Sequence, residues 1–116
     1  MRDTLFLLPA GFEDKGRREY CPECAEIWGL LSYYPFIRES LDVVYEPLAH
    51  PRLSLVDILG AGNWNCPTLV LAPGAPTYDS APAGEANGRL YFDSARTIGQ
   101  YYAARFGSAL PRGSGA

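Results

Sequence analysis

Cys21 and Cys24 stand three apart in Tyr20-Cys21-Pro22-Glu23-Cys24, and a third cysteine, Cys66, directly precedes Pro67. Two thiols one helical turn apart suit two chemistries. In the first, a thiolate on Cys21 attacks a substrate disulfide and Cys24 then displaces the substrate. In the second, the pair supplies soft ligands to a metal. Cys66 and His50 extend the pair to three thiolates and one imidazole, an allowed tetrahedral zinc set. A cysteine-held iron–sulfur cluster, shared between two chains, is a variant of the same idea. Free cysteines can also be small buried residues and nothing more.

The environment of the pair decides between these uses. If Cys21 opens a helix, the unpaired N–H groups and the dipole there stabilise its thiolate. Glu23 and Glu26 oppose that through like charge, and Arg17 or Arg18 offset them if the preceding segment folds back. Trp64, beside Cys66, can shape a groove or fill a core. Tyr101 and Tyr102 read as packing residues. No phosphate-binding glycine loop and no serine–histidine–aspartate arrangement is visible.

Composition narrows the partners. The formal net charge of −3 over 116 residues gives no basic face for nucleic acid. The apolar run Leu5–Leu8 is too short for the core of a signal peptide or to span a bilayer. The expected compartment is therefore the reducing cytosol, with no membrane partner. There a close cysteine pair is more often catalytic or metal-binding than a structural bridge.

The elements that must position these residues follow in order. Thr4 to Leu8 reads as a buried strand stopped by Pro9. Ala10 to Glu19, charged and glycine-punctuated, reads as a long loop. Cys21 to Tyr34 reads as a helix, with Pro22 in its first turn and Cys24, Ile27, Trp28 and Leu31 on the inward side. Pro35 interrupts it, and a short turn follows from Phe36 to Ser40. Leu41 to Tyr45 is a second strand. Pro51 to Leu59 reads as a helix stopped by Gly60. Pro67 to Leu71 is a third strand, with proline only at its start. Pro73 to Gly88 reads as irregular. Arg89 to Phe92 is a fourth strand, and Asp93-Ser94 caps a last helix from Ala95 to Phe106. One domain is expected over residues 1–107, with 108–116 as a flexible tail. The first two strands are expected parallel and the last two antiparallel, giving a four-stranded mixed α/β sheet flanked by helices.

This order, the Cys-Pro-x-Cys opening the first helix and the proline opening the third strand resemble the thioredoxin-like fold. Cys21-Pro22-Glu23-Cys24 resembles a glutaredoxin active site. Asn65-Cys66-Pro67-Thr68-Leu69-Val70-Leu71, with Asp93-Ser94-Ala95 and the helix Gln100–Gly107, resembles the N-terminal domain of glutathione transferases. The chain is also similar to a small bacterial family of uncharacterised thioredoxin-like proteins. The resemblance implies that Pro67 is cis and faces the start of the first helix. It implies that Cys66 pairs through its backbone with a peptide or glutathione, and that Asp93 and Ser94 hold the γ-glutamyl end of glutathione. The implied activity is thiol–disulfide exchange, with Cys21 as nucleophile and Cys24 as resolving thiol on glutathione or a protein disulfide. The chain departs from both families in its longer segment before Cys21 and in carrying cysteine before the proline.

Overall fold

A computed structural model describes residues 1–63 and 65–115. Trp64 lies outside the described residues, so neither role considered for it is addressed. Eleven elements follow in order: β1 (Asp3–Leu7), β2 (Phe12–Asp14), β3 (Arg17–Glu19), α1 (Pro22–Tyr33), α2 (Pro35–Glu39), β4 (Leu41–Tyr45), α3 (Leu53–Leu59), β5 (Thr68–Val70), β6 (Gly84–Ala86), β7 (Arg89–Phe92) and α4 (Ala95–Phe106).

The main sheet is mixed and has five strands, ordered β4-β1-β5-β7-β6. β1 pairs in parallel with β4, Leu5 opposite Val43, and antiparallel with β5, Leu5 opposite Leu69. β7 pairs antiparallel with β5 and with β6. The expected count of four strands is thus corrected to five. The added edge strand β6 lies in the stretch read as irregular. Gly-Glu-Ala carries no β-branched residue, but Asn87-Gly88 turns it back into β7 with φ of 51° and 76°. Positive φ at both central residues matches the right-handed twist of a hairpin.

The segment expected as a loop before Cys21 holds a second hairpin, β2–β3, in its own two-stranded sheet. Lys15 and Gly16 make the turn at φ of 54° and 75°. The register sets Asp14 opposite Arg17 and Glu13 opposite Arg18. The charges of the expected loop are therefore cross-strand pairs of opposite sign, which favour strand pairing.

The core follows β1 and the helices. Leu5, Phe6 and Leu7 are buried in the sheet beneath Ile27 and Leu31 of α1, Leu55 of α3, and Ile98, Tyr101 and Tyr102 of α4. β1 is central in the sheet, and its Leu5-Phe6-Leu7 end is continuously apolar and buried rather than alternating, as in a strand covered on both faces. α1 packs against α4 and α2. α3 begins at Leu53, later than its proline suggested, with Arg52 as its cap.

α4 ends at Gly107, whose φ of 80° suits a residue without Cβ. The chain beyond it, read from the sequence as a flexible tail, makes contacts with the domain. Ser108 is buried, and the Ala109 N–H donates to the Tyr34 hydroxyl at 3.2 Å. Arg96 donates to the Gly113 carbonyl at 2.6 Å. Pro111 rests on Gly99, where an added Cβ would stand 2.6 Å from its Cγ. Among the described residues, no helix is long and apolar enough to cross a membrane.

Candidate active site

β1 delivers the chain to the corner where the cysteines meet. Pro22 holds the first helical position of α1, where its missing N–H is no loss. That leaves Cys21 as the extended N-cap, not the first helical residue. Its Sγ accepts the Cys24 N–H at 3.1 Å, doing with sulfur what a serine oxygen does at most helix starts. Cys21 is half-buried, while Cys24 is only 4% exposed. Cys24 Sγ in turn accepts the Leu8 N–H at 3.5 Å, just past the end of β1.

All three cysteines are free thiols. Burial pushes the Cys24 thiol up to about 12; its hydrogen bond with Cys21 adds to this and the Leu8 N–H works against it. Charge on Cys21 or Cys66 raises it further, so the three sulfurs share one neighbourhood. Burial also pushes Cys66 up to about 11. There the Arg52 guanidinium lowers it, by charge and by hydrogen bond, and Glu46 raises it.

Cys66 joins Pro67 through a cis peptide bond, as the resemblance implied, and β5 begins one residue later. Asn65 fixes this entry. Its Nδ2 donates to the Asp93 carbonyl at 2.7 Å and to the Pro67 carbonyl at 3.4 Å, while Thr68 Oγ1 donates to the Asn65 carbonyl at 2.6 Å. Asp93 is exposed. Ser94 Oγ caps α4 by accepting the Thr97 N–H at 3.2 Å. The Ala95 N–H at the same helix end is taken by Glu23 Oε1 at 3.0 Å. Glu23, between the two cysteines, therefore ties α1 to the start of α4.

Several participants escaped the sequence reading. Glu46 is 3% exposed, and its Oε2 has no hydrogen-bond partner among the described residues. Arg52 is also buried and donates to the carbonyls of Pro47 and Leu48, both at 3.0 Å. Periodicity cannot mark Arg52, because its guanidinium is taken in by the backbone carbonyls of the turn before α3. The Glu23–Ala95 bond spans 72 residues and had no local signal either. Arg17, considered as a counter-charge for the thiolate, pairs with Glu19 at 2.6 Å on its own hairpin. Among the described residues, no group of three His, Cys, Asp or Glu is arranged to hold a metal ion.

Two apolar hollows flank α1. One of about 330 Å3 lies beside the cysteines, between α1 and the segment leaving β1. The other, about 420 Å3, runs between α1 and α4 along Leu30, Tyr33 and Pro111 and contains no thiol. Chemically, the corner offers one accessible sulfur at a helix N-terminus and a second sulfur behind it, bonded to the first through its N–H.

A family model described as "Protein of unknown function (DUF3088)" matches residues 2–110. No curated protein and no solved structure matches the chain.

Proposed function

We propose that this chain, which belongs to the DUF3088 family, is a thioredoxin-like thiol–disulfide oxidoreductase of glutaredoxin type that works in the cytosol. The observation that carries the reading is the Cys24 N–H donated to Cys21 Sγ at 3.1 Å, with Cys21 reachable and Cys24 buried behind it. Sheet order supports it. A parallel β1–β4 pair lies on one side, antiparallel β5 and β7 on the other, and the start of α1 with Cys21 and Cys24 lies against the end of β1, where the Leu8 N–H meets Cys24.

The reaction runs in two displacements. Cys21 sulfur attacks one sulfur of a glutathione or protein disulfide. The substrate S–S bond breaks, and one half leaves as a thiol carrying the Cys21 proton. Cys24 then attacks Cys21 Sγ. The mixed disulfide breaks, and the second half leaves with the Cys24 proton. The chain is oxidised by two electrons and the substrate is reduced by two. The raised Cys24 thiol keeps its proton until that second step. Cys66 and Pro67 line the entry to β5, where an extended substrate would run beside the mixed disulfide. Asp93 and Ser94 stand at the neighbouring start of α4.

A redox titration of metal-free protein in glutathione buffers tests this. A reversible Cys21–Cys24 couple between about −180 and −270 mV is expected. Absence of any reversible couple would sink the proposal. One zinc per chain protecting Cys21, Cys24 and Cys66 from thiol reagents would replace it with metal binding.

A further inference from the structure

The start of α1 presents two faces with opposite chemistry. Cys21, Cys24 and Trp28 share one face, turned toward Leu8, Pro9 and Tyr20. These six enclose most of the 330 Å3 hollow, and no charged side chain lines it. Cys24 is buried, Cys21 half-buried, and Tyr20 63% exposed, so the hollow opens beside the reactive sulfur. Trp28 is held by the Arg38 guanidinium, 5.7 Å from its ring centroid.

The other face is negative. A helix N-terminus such as that of α4 holds a carboxylate by its free N–H groups. Here the Ala95 N–H already donates to Glu23 Oε1, and the Thr97 N–H donates to Ser94 Oγ. The chain's own carboxylate occupies the place where an anionic substrate end would be held. Glu26, one turn along α1, adds a second negative charge.

We infer that the substrate is a peptide or protein disulfide flanked by a large apolar or aromatic side chain, seated between Leu8, Tyr20 and Trp28, in preference to an anionic disulfide. The inference rests on the thiol–disulfide reading above. In the mixed disulfide with Cys21, the neighbouring side chain enters the hollow and leaves water, while Cys24 stays free to displace it. Shape and burial at one side-chain position give selectivity on the order of 10–200-fold.

The experiment compares three disulfides against reduced protein: the symmetric disulfides of acetyl-Phe-Cys-amide and acetyl-Asp-Cys-amide, and 2-hydroxyethyl disulfide. Second-order rate constants are divided by those of dithiothreitol with the same disulfide, which removes the intrinsic effect of charge on exchange. The expected Phe-to-Asp ratio is about tenfold or more. It should fall toward one in Trp28→Ala, and also drop in Tyr20→Ala, where exposure leaves the fold undisturbed. A ratio near one in the unaltered chain, or a ratio untouched by both variants, overturns the pocket. If 2-hydroxyethyl disulfide oxidises the Cys21–Cys24 pair while the ratio is one, only the pocket falls. If none of the three oxidises the pair, the exchange reading and the pocket fall together.

Discussion

Three thiols of one residue type differ here because of what surrounds each. Cys21 takes an N–H and faces solvent; Cys24 and Cys66 are 4% and 9% exposed, and burial holds their protons. With Cys66 raised to about 11, roughly one molecule in ten thousand carries its thiolate at neutral pH. Iodoacetamide at pH 7.5 should therefore label Cys21 first, with Cys66 and Cys24 labelled only after denaturation. Peptide mapping reads the order directly, and equal early labelling of Cys66 would contradict it. The sign with pH is also fixed. Cys66 labelling should rise about tenfold per unit until pH nears 11. Glu46 raises the Cys66 thiol, so Glu46→Gln should move that rise to lower pH; Arg52 lowers it, so Arg52→Met should move it higher.

The cysteine corner is assembled at the scale of elements by two helix starts: Cys21 caps α1, and Glu23 of α1 joins Ser94 in capping α4. Ser94→Ala leaves the Thr97 N–H without its acceptor and should cost about 1 kcal/mol in urea unfolding. Glu23→Ala removes a charged acceptor from the Ala95 N–H, and with it one tie between α1 and α4, for about 1.5–3 kcal/mol. Glu23→Gln keeps an acceptor and should recover part of that loss; a Gln variant no better than Ala would show that the bond contributes little. These contacts also mark where sequence reading stops. The bounds of β4, β7 and α4 were legible, because Val43-Val44-Tyr45 and the Ser94 cap state their structure locally. The Cys21-Pro22-Glu23-Cys24 turn was legible for the same reason. The β2–β3 hairpin was not. Its three-residue strands carry five charges and one apolar residue, so it is their pairing, not their periodicity, that makes them strands. Asn87-Gly88 was a readable turn overlooked within a proline-rich stretch. Glu23 reaching Ala95, 72 residues away, and Arg52 reaching Cys66 depend on the closed fold, and neither contact follows from local periodicity.

For the whole molecule, the first strand and last helix are joined by Asp3. Its Oδ1 accepts the Ala72 N–H at 2.9 Å and its Oδ2 accepts from Arg105 at 2.8 Å, with the Tyr102 hydroxyl at 3.5 Å. Two buried tyrosines of this region and two buried cysteines share one tendency. Burial raises Tyr101 and Tyr102 above their ordinary 10.0, as it raises Cys24 and Cys66 above 9.0. The native chain therefore holds protons that the unfolded chain gives up first. Stability rises with pH only where the unfolded state binds more protons, and above pH 9 the reverse holds. The contribution is fully present below about 9, and the cysteine part is lost as pH climbs through about 11 and 12. Urea midpoints of reduced protein should thus fall steadily from pH 9 to 11. In Cys24→Ala/Cys66→Ala the midpoint starts lower, because two packed sulfurs are gone, but it should fall less steeply. The slope that remains belongs to Tyr101 and Tyr102. A variant slope as steep as that of the unaltered chain would mean that the two cysteines titrate alike in the folded and unfolded states.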